Sequence, residues 1–216
     1  MGHQASDVTA IDVLLEPDAT MLQRAAANNA RLLKLYPAGF ALDATHRPHI
    51  TLVQRFVRTD DLDTITAALD RVLARADVTA MKLQAFQYYY LPMAGVGVAG
   101  IVARPTPELV ELQAEVVAAV APFTVATGES AAFVTTPDDP VIDPGLIDYV
   151  ATFVPKRSGA LYNPHVTIGV APTGDLDRML AEPFESFTFS PAGAAVYQLG
   201  PFGTAAKKLA QLDAKP

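Results

Sequence analysis

One five-residue pattern occurs twice in this sequence of 216 residues, as Pro48-His49-Ile50-Thr51-Leu52 and as Pro164-His165-Val166-Thr167-Ile168. The aliphatic residues in each copy favour a β-strand, in which alternate side chains share a face. The histidine and the threonine of each copy therefore point to one side, and the two aliphatic residues point to the other. The pattern predicts two matching strands, each presenting an imidazole and a hydroxyl while anchoring in a core behind them.

The first copy lies within a predicted order of strand, helix, strand, helix and strand. Residues 8–15 form a β-branched and aliphatic run, and Asp18 then stands where the N-cap of a helix would be. The pattern strand follows. A helix capped by Asp60 or Asp61 and an aromatic-rich strand at 78–91 complete this half.

The second half repeats this order. A strand is expected at 96–103, and Thr106-Pro107 is a helix-start signal with proline at the first helical position. A Pro/Asp-rich loop at 135–145 precedes the second pattern strand, and no regular structure is expected there. Outside the pattern the halves share little identity, so the repeat is one of element order alone.

The repeated order predicts the α+β class and a single domain over residues 1–216. We expect two pseudo-symmetric lobes of βαβαβ type, the first at roughly 8–92 and the second at roughly 95–212. If the two pattern strands lie side by side, their polar faces form one site with two imidazoles and two hydroxyls.

That set of groups suits phosphoryl chemistry. An imidazole has an unperturbed pKa of about 6.5, so near neutral pH one ring can be neutral and the other protonated. The neutral ring can take a proton from water or a hydroxyl, and the protonated ring can deliver one to the leaving oxygen. Thr51 and Thr167 can donate to the non-bridging phosphate oxygens. The scheme requires neither a metal ion nor a cofactor, and it leaves open which histidine is the acid.

The paired pattern resembles the motifs of the two-histidine (2H) phosphoesterase superfamily, especially its 2′-5′ RNA ligase-like branch. The resemblance implies two related lobes whose antiparallel sheets form a central cleft, with His49, Thr51, His165 and Thr167 as the catalytic residues that line it. It also implies an enzyme that acts on 2′,3′-cyclic phosphates, 2′-5′ linkages or RNA-terminal phosphates. The loop at 135–145 is where we expect the substrate to be selected.

Several other residues are candidates to bind the substrate. Arg55 lies six residues after His49 and shares its face if the strand is regular, although a solvated arginine is the alternative. Tyr162 could stack on a base, or it could pack under the loop. Further candidates to meet phosphate charge are Arg47, Lys156 and Arg157.

Two other motifs carry less weight. Asp43, His46 and His49 could form a metal site in principle, but Pro48 breaks the register that would bring them together. Residues 95–100 match the glycine spacing of a dinucleotide-binding motif. That motif must follow a strand and begin a helix, whereas these residues begin a predicted strand, so we discard it. Cysteine is absent, which removes thiolate chemistry.

Net charge and hydropathy limit the kinds of partner that this protein can bind. The formal net charge is −7 and no apolar run reaches the roughly 20 residues of a membrane span. We therefore expect a soluble monomer that binds a small nucleotide or short RNA, but no long nucleic acid and no membrane. Localisation stays open, cytoplasmic by default or after removal of a secretory leader. The rival functions are a non-catalytic nucleotide- or RNA-end-binding module, a reversible 2′-5′ RNA ligase and a histidine-based metallohydrolase.

Overall fold

The computed structural model describes residues 7–93, 95–137 and 141–212, so residues 138–140 of the predicted loop and the extreme N-terminus lie outside the described residues. In the described ranges the strands are β1 (Val8–Pro17), β2 (Ile50–Arg58), β3 (Leu83–Met93), β4 (Val96–Ala103), β5 (Thr124–Val125), β6 (His165–Pro172), β7 (Phe187–Phe189), β8 (Pro191–Leu199) and β9 (Ala205–Leu212). The helices there are α1 (Ala19–Leu35), α2 (Leu62–Leu73), α3 (Pro107–Val120), α4 (Pro144–Ala151), α5 (Phe153–Arg157) and α6 (Thr173–Leu180).

The strands form one antiparallel sheet in the order β7-β3-β4-β6-β2-β1-β8-β9, with β5 paired to β2. The two pattern strands, β2 and β6, are neighbours at the centre of this order and pair where Ile50 lies opposite Val166. The α+β class with antiparallel strands is therefore confirmed, and the condition that the two pattern strands lie side by side is met.

The expected lobe boundaries near residues 92–95 need correction, because the sheet is not divided there. Strand β3 belongs to the first half of the sequence but pairs with β4 of the second, and β8 of the second half pairs with β1 of the first. Only residues 94 and 95 separate β3 from β4, and strands joined by so short a connection pair antiparallel. Each half of the chain thus gives a strand to the other half of the sheet: β3 from the first and β8 from the second.

The long helices cross over in the same way. Helix α1 begins where predicted, with the Asp18 carboxylate accepting a hydrogen bond from the Met21 amide, and it packs against β6. Helix α3 begins after Thr106, whose hydroxyl accepts from the Leu109 amide, and it packs against β2. The helix that follows each first strand therefore covers the pattern strand of the opposite half.

The core lies between these helices and the sheet. The aliphatic residues of both patterns are fully buried in it: Ile50, Leu52, Val166 and Ile168. Each such side chain stabilises the fold by roughly 1.5–3 kcal/mol relative to exposure. The core anchors the back of each pattern strand, so the polar side chains of the pattern are held on the opposite face. None of the helices in the described ranges is long and apolar enough to cross a membrane.

Candidate active site

A cavity of about 340 Å³ lies against the two pattern strands. The four residues predicted from the pattern all line it: His49, Thr51, His165 and Thr167. His49 immediately precedes β2, and His165 opens β6. Strand alternation therefore places the polar residues of both patterns in one cavity, as expected from the sequence.

Both histidines are held in the same orientation. The Nδ1 atom of His49 lies 2.6 Å from the carbonyl oxygen of Arg47, and the Nδ1 atom of His165 lies 2.8 Å from that of Asn163. A carbonyl oxygen can only accept, so each Nδ1 carries a hydrogen. In each ring Nε2 is then the atom that gains or loses a proton.

Each pattern threonine is followed by a β-bulge. The pairing of β1 with β2 skips Leu52, and the pairing of β4 with β6 skips Ile168. A bulge leaves backbone groups without a ladder partner, and a buried carbonyl without a partner is costly. The two bulges occupy the same position in the two patterns.

Buried amide side chains from the covering helices satisfy these two bulges. Gln113 of α3 donates from Nε2 to the Leu52 carbonyl at 3.2 Å, and Asn29 of α1 donates from Nδ2 to the Ile168 carbonyl at 3.0 Å. The same two amides also bind backbone groups of neighbouring loops. Gln113 and Asn29 therefore hold the pattern strands from the core side of the sheet. Neither residue was predicted from the sequence.

The bulge also explains why Arg55 was placed wrongly. One extra residue at Leu52 reverses the alternation along β2, so Gln54 lines the cavity and Arg55 does not. The Arg55 guanidinium instead donates to the Ala151 carbonyl at 2.9 Å. The predicted substrate contact of Arg55 is therefore corrected: its face was counted through a bulge that the sequence does not show.

Tyr162 lines the cavity but is only 7% exposed. Its hydroxyl donates to the Thr51 carbonyl at 2.9 Å. Burial, together with the charge of Asp12, raises the pKa of the phenol, so the hydroxyl remains a donor. Of the two alternatives for Tyr162, the structure shows packing, and the side chain ties the approach to the second pattern to the first pattern strand.

Asp12 of β1 is the most informative residue that the sequence reading missed. Its side chain is fully buried, and one carboxylate oxygen lies 3.3 Å from His49 Nε2, 2.8 Å from the Thr51 hydroxyl and 2.9 Å from Gln54 Nε2. The signal was available, since Asp12 is an acidic residue in the middle of a predominantly apolar strand and buried carboxylates are rare unless paired.

The two imidazoles consequently differ in basicity. Burial alone would lower the pKa of His49, but the hydrogen bond and the charge of Asp12 outweigh it and raise that pKa above the ordinary value. For His165, burial lowers the pKa against the hydrogen bond to Asn163, and the charges of His49 and Arg157 lower it further. Of the two rings, His49 is therefore the more basic and His165 the less basic.

Strand register shows where this difference arises. Asp12 lies opposite Gln54, five residues after His49, and Val98 lies opposite Val170, five residues after His165. With the bulges in matching places, Asp12 and Val98 occupy equivalent positions on the strands that flank the patterns. One histidine thus has a carboxylate neighbour where the other has an isopropyl group.

The two threonines differ as well. The Thr51 hydroxyl donates its hydrogen to Asp12, so in this structure it does not donate into the cavity. The Thr167 hydroxyl lines the cavity and makes no hydrogen bond with any part of the chain that the structure describes. Of the two hydroxyls expected to hold phosphate, Thr167 is the one available for it.

Of the other basic candidates, only Arg157 lines the cavity. Its guanidinium carbon lies 3.5 Å from the centre of the Tyr149 ring, and its Nη1 atom is buried without a hydrogen-bond partner in the described residues. Lys156 pairs with Asp148 at 3.4 Å, and the backbone carbonyl of Arg47 holds His49.

The alternative metal group does not assemble around His49. Asp43 pairs with His46 at 2.9 Å outside the cavity, whereas His49 turns into it. Part of the predicted loop does reach the site, because Asp143 and Gly145 line the cavity. Asp143 also caps α4 by accepting from the Gly145 amide at 2.7 Å.

An aromatic wall completes the cavity. Tyr89 packs on His165, with 5.1 Å between the ring centres, and the rings of Tyr149, Phe153 and Phe202 also line the space. Tyr89 comes from β3, Tyr149 and Phe153 come from the consecutive helices α4 and α5, and Phe202 comes from the turn before β9. The position of Tyr89 follows from the pairing of β3 with β4.

Comparison with known sequences identifies the family to which a protein with this fold and this site belongs. Residues 21–196 match the sequence profile of the 2′-5′ RNA ligase superfamily. The match covers most of the chain, so this protein belongs to that superfamily, and the resemblance to the two-histidine phosphoesterases is confirmed. No curated protein sequence matches the chain.

Solved structures with a similar fold include TT0787 of Thermus thermophilus, at 17% identity and a TM-score of 0.53, covering 96% of this chain and 100% of that one. Escherichia coli LigT complexed with NADP+ aligns at 11% identity and a TM-score of 0.48, over 98% and 100% of the two chains. Kluyveromyces marxianus Usb1 aligns at 10% identity and a TM-score of 0.46, over 95% and 99%. The first of these supports the α+β fold described above.

Proposed function

We propose that this protein is a phosphodiesterase that uses His49 and His165 as an acid–base pair without a metal ion. The observation that carries the proposal is the matched orientation of the two rings. Each Nδ1 is fixed by a backbone carbonyl, at 2.6 Å for His49 and 2.8 Å for His165, so both Nε2 atoms serve one cavity. Two imidazoles held in this way can supply and remove protons in a single displacement.

The neighbours of each ring support an assignment of roles. Asp12 favours the protonated form of His49, which makes His49 the general acid. His165 has no such carboxylate beside it and is the neutral ring, which makes it the general base. The contact from His49 Nε2 to Asp12 is long, at 3.3 Å, so the proton remains available to a leaving oxygen that approaches the ring.

The reaction then has one displacement at phosphorus. His165 Nε2 takes a proton from water, and the water oxygen forms a bond to phosphorus. The bond from phosphorus to the leaving oxygen breaks as His49 Nε2 protonates that oxygen, giving a phosphomonoester and a free hydroxyl. The Thr167 hydroxyl donates to a non-bridging oxygen, where negative charge increases in the transition state. Transfer of a proton from His165 to solvent, and from solvent to His49, restores the enzyme.

The substrates we propose are nucleoside 2′,3′-cyclic phosphates, 2′-5′ linkages or RNA-terminal phosphates. The cavity volume of about 340 Å³ is on the scale of small-ligand pockets. A net charge of −7 disfavours binding of long nucleic acid through phosphate neutralisation. A mononucleotide or a short oligonucleotide therefore suits this protein better than a large folded RNA.

The test is turnover of a panel of 2′,3′-cyclic nucleotides and of 2′-5′ and 3′-5′ dinucleotides, with and without EDTA. We expect hydrolysis that survives EDTA and falls about 10²-fold or more in His49→Ala and in His165→Ala. His46→Ala is the matched control, because this histidine lies three residues from His49 but outside the cavity, and it should keep full activity.

Near-full activity of His165→Ala, or loss of wild-type activity with EDTA, would contradict the proposal. Calorimetry on the same compounds separates the rival function. Tight binding with no turnover of any diester would identify a nucleotide-binding module instead.

A further inference from the structure

Carboxylates outnumber the cationic arginine and lysine side chains around the cavity. Besides the histidines, Arg157 is the one cationic side chain in its described lining, whereas Asp143 and Asp148 contribute carboxylates. Asp12 adds a third carboxylate at the base of the site, in contact with His49. Lys156 does not line the cavity, but its Nζ atom lies 3.4 Å from a carboxylate oxygen of Asp148 and partly neutralises that charge. The cavity is therefore better suited to a ligand with one negative charge than to one with several.

Arg157 is built to meet that single charge. Its guanidinium rests on the Tyr149 ring, at 3.5 Å from the ring centre, and it is close enough to His165 to lower the pKa of that ring. Its buried Nη1 has no acceptor in the described residues. A buried donor without a partner is rare in native structures, and a phosphate oxygen is the kind of acceptor that a guanidinium recognises best.

The backbone behind this side chain is also fixed. Gln113 donates to the Arg157 carbonyl at 3.2 Å and accepts from the Gly159 amide at 3.1 Å. The same Gln113 amide holds the bulge of β2. The segment that carries Arg157 is thus tied to the strand that follows His49, and the guanidinium is positioned by the same framework as the acid–base pair.

The described remainder of the wall holds no further cationic side chain. Leu91, Pro92, Met93 and Val98 form an apolar side, and Leu146 and Phe202 extend it. Asp143 caps α4 and Asp148 lies on that helix, so a second phosphate group beside α4 would meet like charge. An uncharged sugar and base can lie against such a wall, but a second phosphate would lose hydration without gaining a cation.

We propose that Arg157 binds the reacting phosphodiester and that the cavity selects substrates in which this diester is the only phosphate. This rests on the proposed phosphodiesterase function. It names a narrower class: nucleoside 2′,3′-cyclic phosphates with a free 5′-hydroxyl and dinucleoside monophosphates, rather than 5′-phosphorylated or longer RNA ends.

The test compares adenosine 2′,3′-cyclic phosphate with its 5′-phosphorylated form. We expect the wild-type kcat/KM to favour the first compound by about tenfold or more, which is the order expected for one unfavourable charge contact in a partly buried site. A 5′-O-acetyl analogue controls for size and should be hydrolysed like the parent compound. Asp143→Asn combined with Asp148→Asn should reduce the preference for the compound without the 5′-phosphate, because both carboxylate charges are removed. Asparagine at position 143 keeps the cap of α4.

Arg157→Gln should lower kcat/KM for the parent compound by about tenfold or more, and Arg157→Lys should recover part of the loss. Equal turnover of the two cyclic phosphates would overturn the selection by charge. An unchanged kcat/KM in Arg157→Gln would overturn the role of Arg157.

If no diester is hydrolysed, the proposed function fails, and calorimetry with the same pair of compounds still decides the present inference. Tighter binding of the compound without the 5′-phosphate, weakened by Arg157→Gln, supports it. Equal binding of both, or binding that is unchanged in Arg157→Gln, contradicts it.

Discussion

Strands β2 and β6 share a sequence pattern, a bulge after the threonine and a buried amide behind that bulge, yet their surroundings differ. Beside β2, Asp12 contacts both His49 and the Thr51 hydroxyl. Beside β6, the equivalent position is Val98. The pattern therefore supplies two matching imidazoles, and their surroundings raise the pKa of His49 and lower that of His165, which is the basis of the proposed acid and base roles.

The largest expected difference between the strands lies in the threonines. Thr167→Val should lower kcat/KM by about 10²-fold, because it removes a hydroxyl that is free to donate to the phosphate. Thr51→Val should cost less, about tenfold, because the hydroxyl of Thr51 already donates to Asp12. Steady-state kinetics of both variants on one cyclic nucleotide measures this. Equal losses would show that the two hydroxyls act alike, and Thr167→Ser, which keeps the donor, should remain close to wild type.

The buried amide side chains of Gln113 and Asn29 should contribute similarly to the stability of the two pattern strands. Gln113→Met and Asn29→Leu each remove the donor to a bulge carbonyl, so each should lower the free energy of unfolding by about 1–3 kcal/mol. Urea unfolding followed by circular dichroism gives both values. A loss in one variant only would contradict the equivalent role of the two side chains. Gln23→Leu is the control, because Gln23 is an exposed side chain of α1.

Removal of the carboxylate should make the two histidines more alike. In the wild type we expect a bell-shaped pH dependence of kcat/KM. Its acid limb lies below the ordinary histidine pKa of about 6.5, where His165 becomes protonated, and its basic limb lies above that value, where His49 loses its proton. Asp12→Asn removes the charge that raises the pKa of His49, so the basic limb should move to lower pH and activity on the basic side should fall by about tenfold.

The acid limb of Asp12→Asn should move less, because Asp12 is a smaller influence on His165 than burial is. Asp43→Asn is the matched control, since its carboxylate pairs with His46 outside the cavity. A basic limb that stays in place in Asp12→Asn would show that another group holds the proton of His49.

Local sequence signals predicted what depends on local geometry. Asp18 and Thr106 cap their helices as expected, since a cap acts within one turn. Strand alternation brought the four pattern residues into one cavity because it was counted over only three positions. The same counting failed for Arg55, since the bulge at Leu52 lies between it and His49 and depends on pairing with β1.

What the sequence did not predict depends on contacts between distant segments. Asp12 reaches His49 because β1 pairs with β2. The pairing of β3 with β4 brings Tyr89 onto His165. The strands predicted at 78–91 and 96–103 are separated by only four residues, and so short a connection could have placed β3 beside β4, because a hairpin keeps neighbouring strands together.

The roles of the two histidines are separated most sharply by a substrate whose leaving group needs no proton. Thymidine 3′-(p-nitrophenyl phosphate) is a diester that releases p-nitrophenolate, so a general acid contributes little to its hydrolysis. We predict that the ratio of His49→Ala to wild-type kcat/KM is close to one on this diester and about 10⁻² or lower on a cyclic nucleotide, whereas His165→Ala is impaired on both. Rescue of His165→Ala instead, or equal losses of both variants on both substrates, would contradict the assignment of His49 as the acid and His165 as the base.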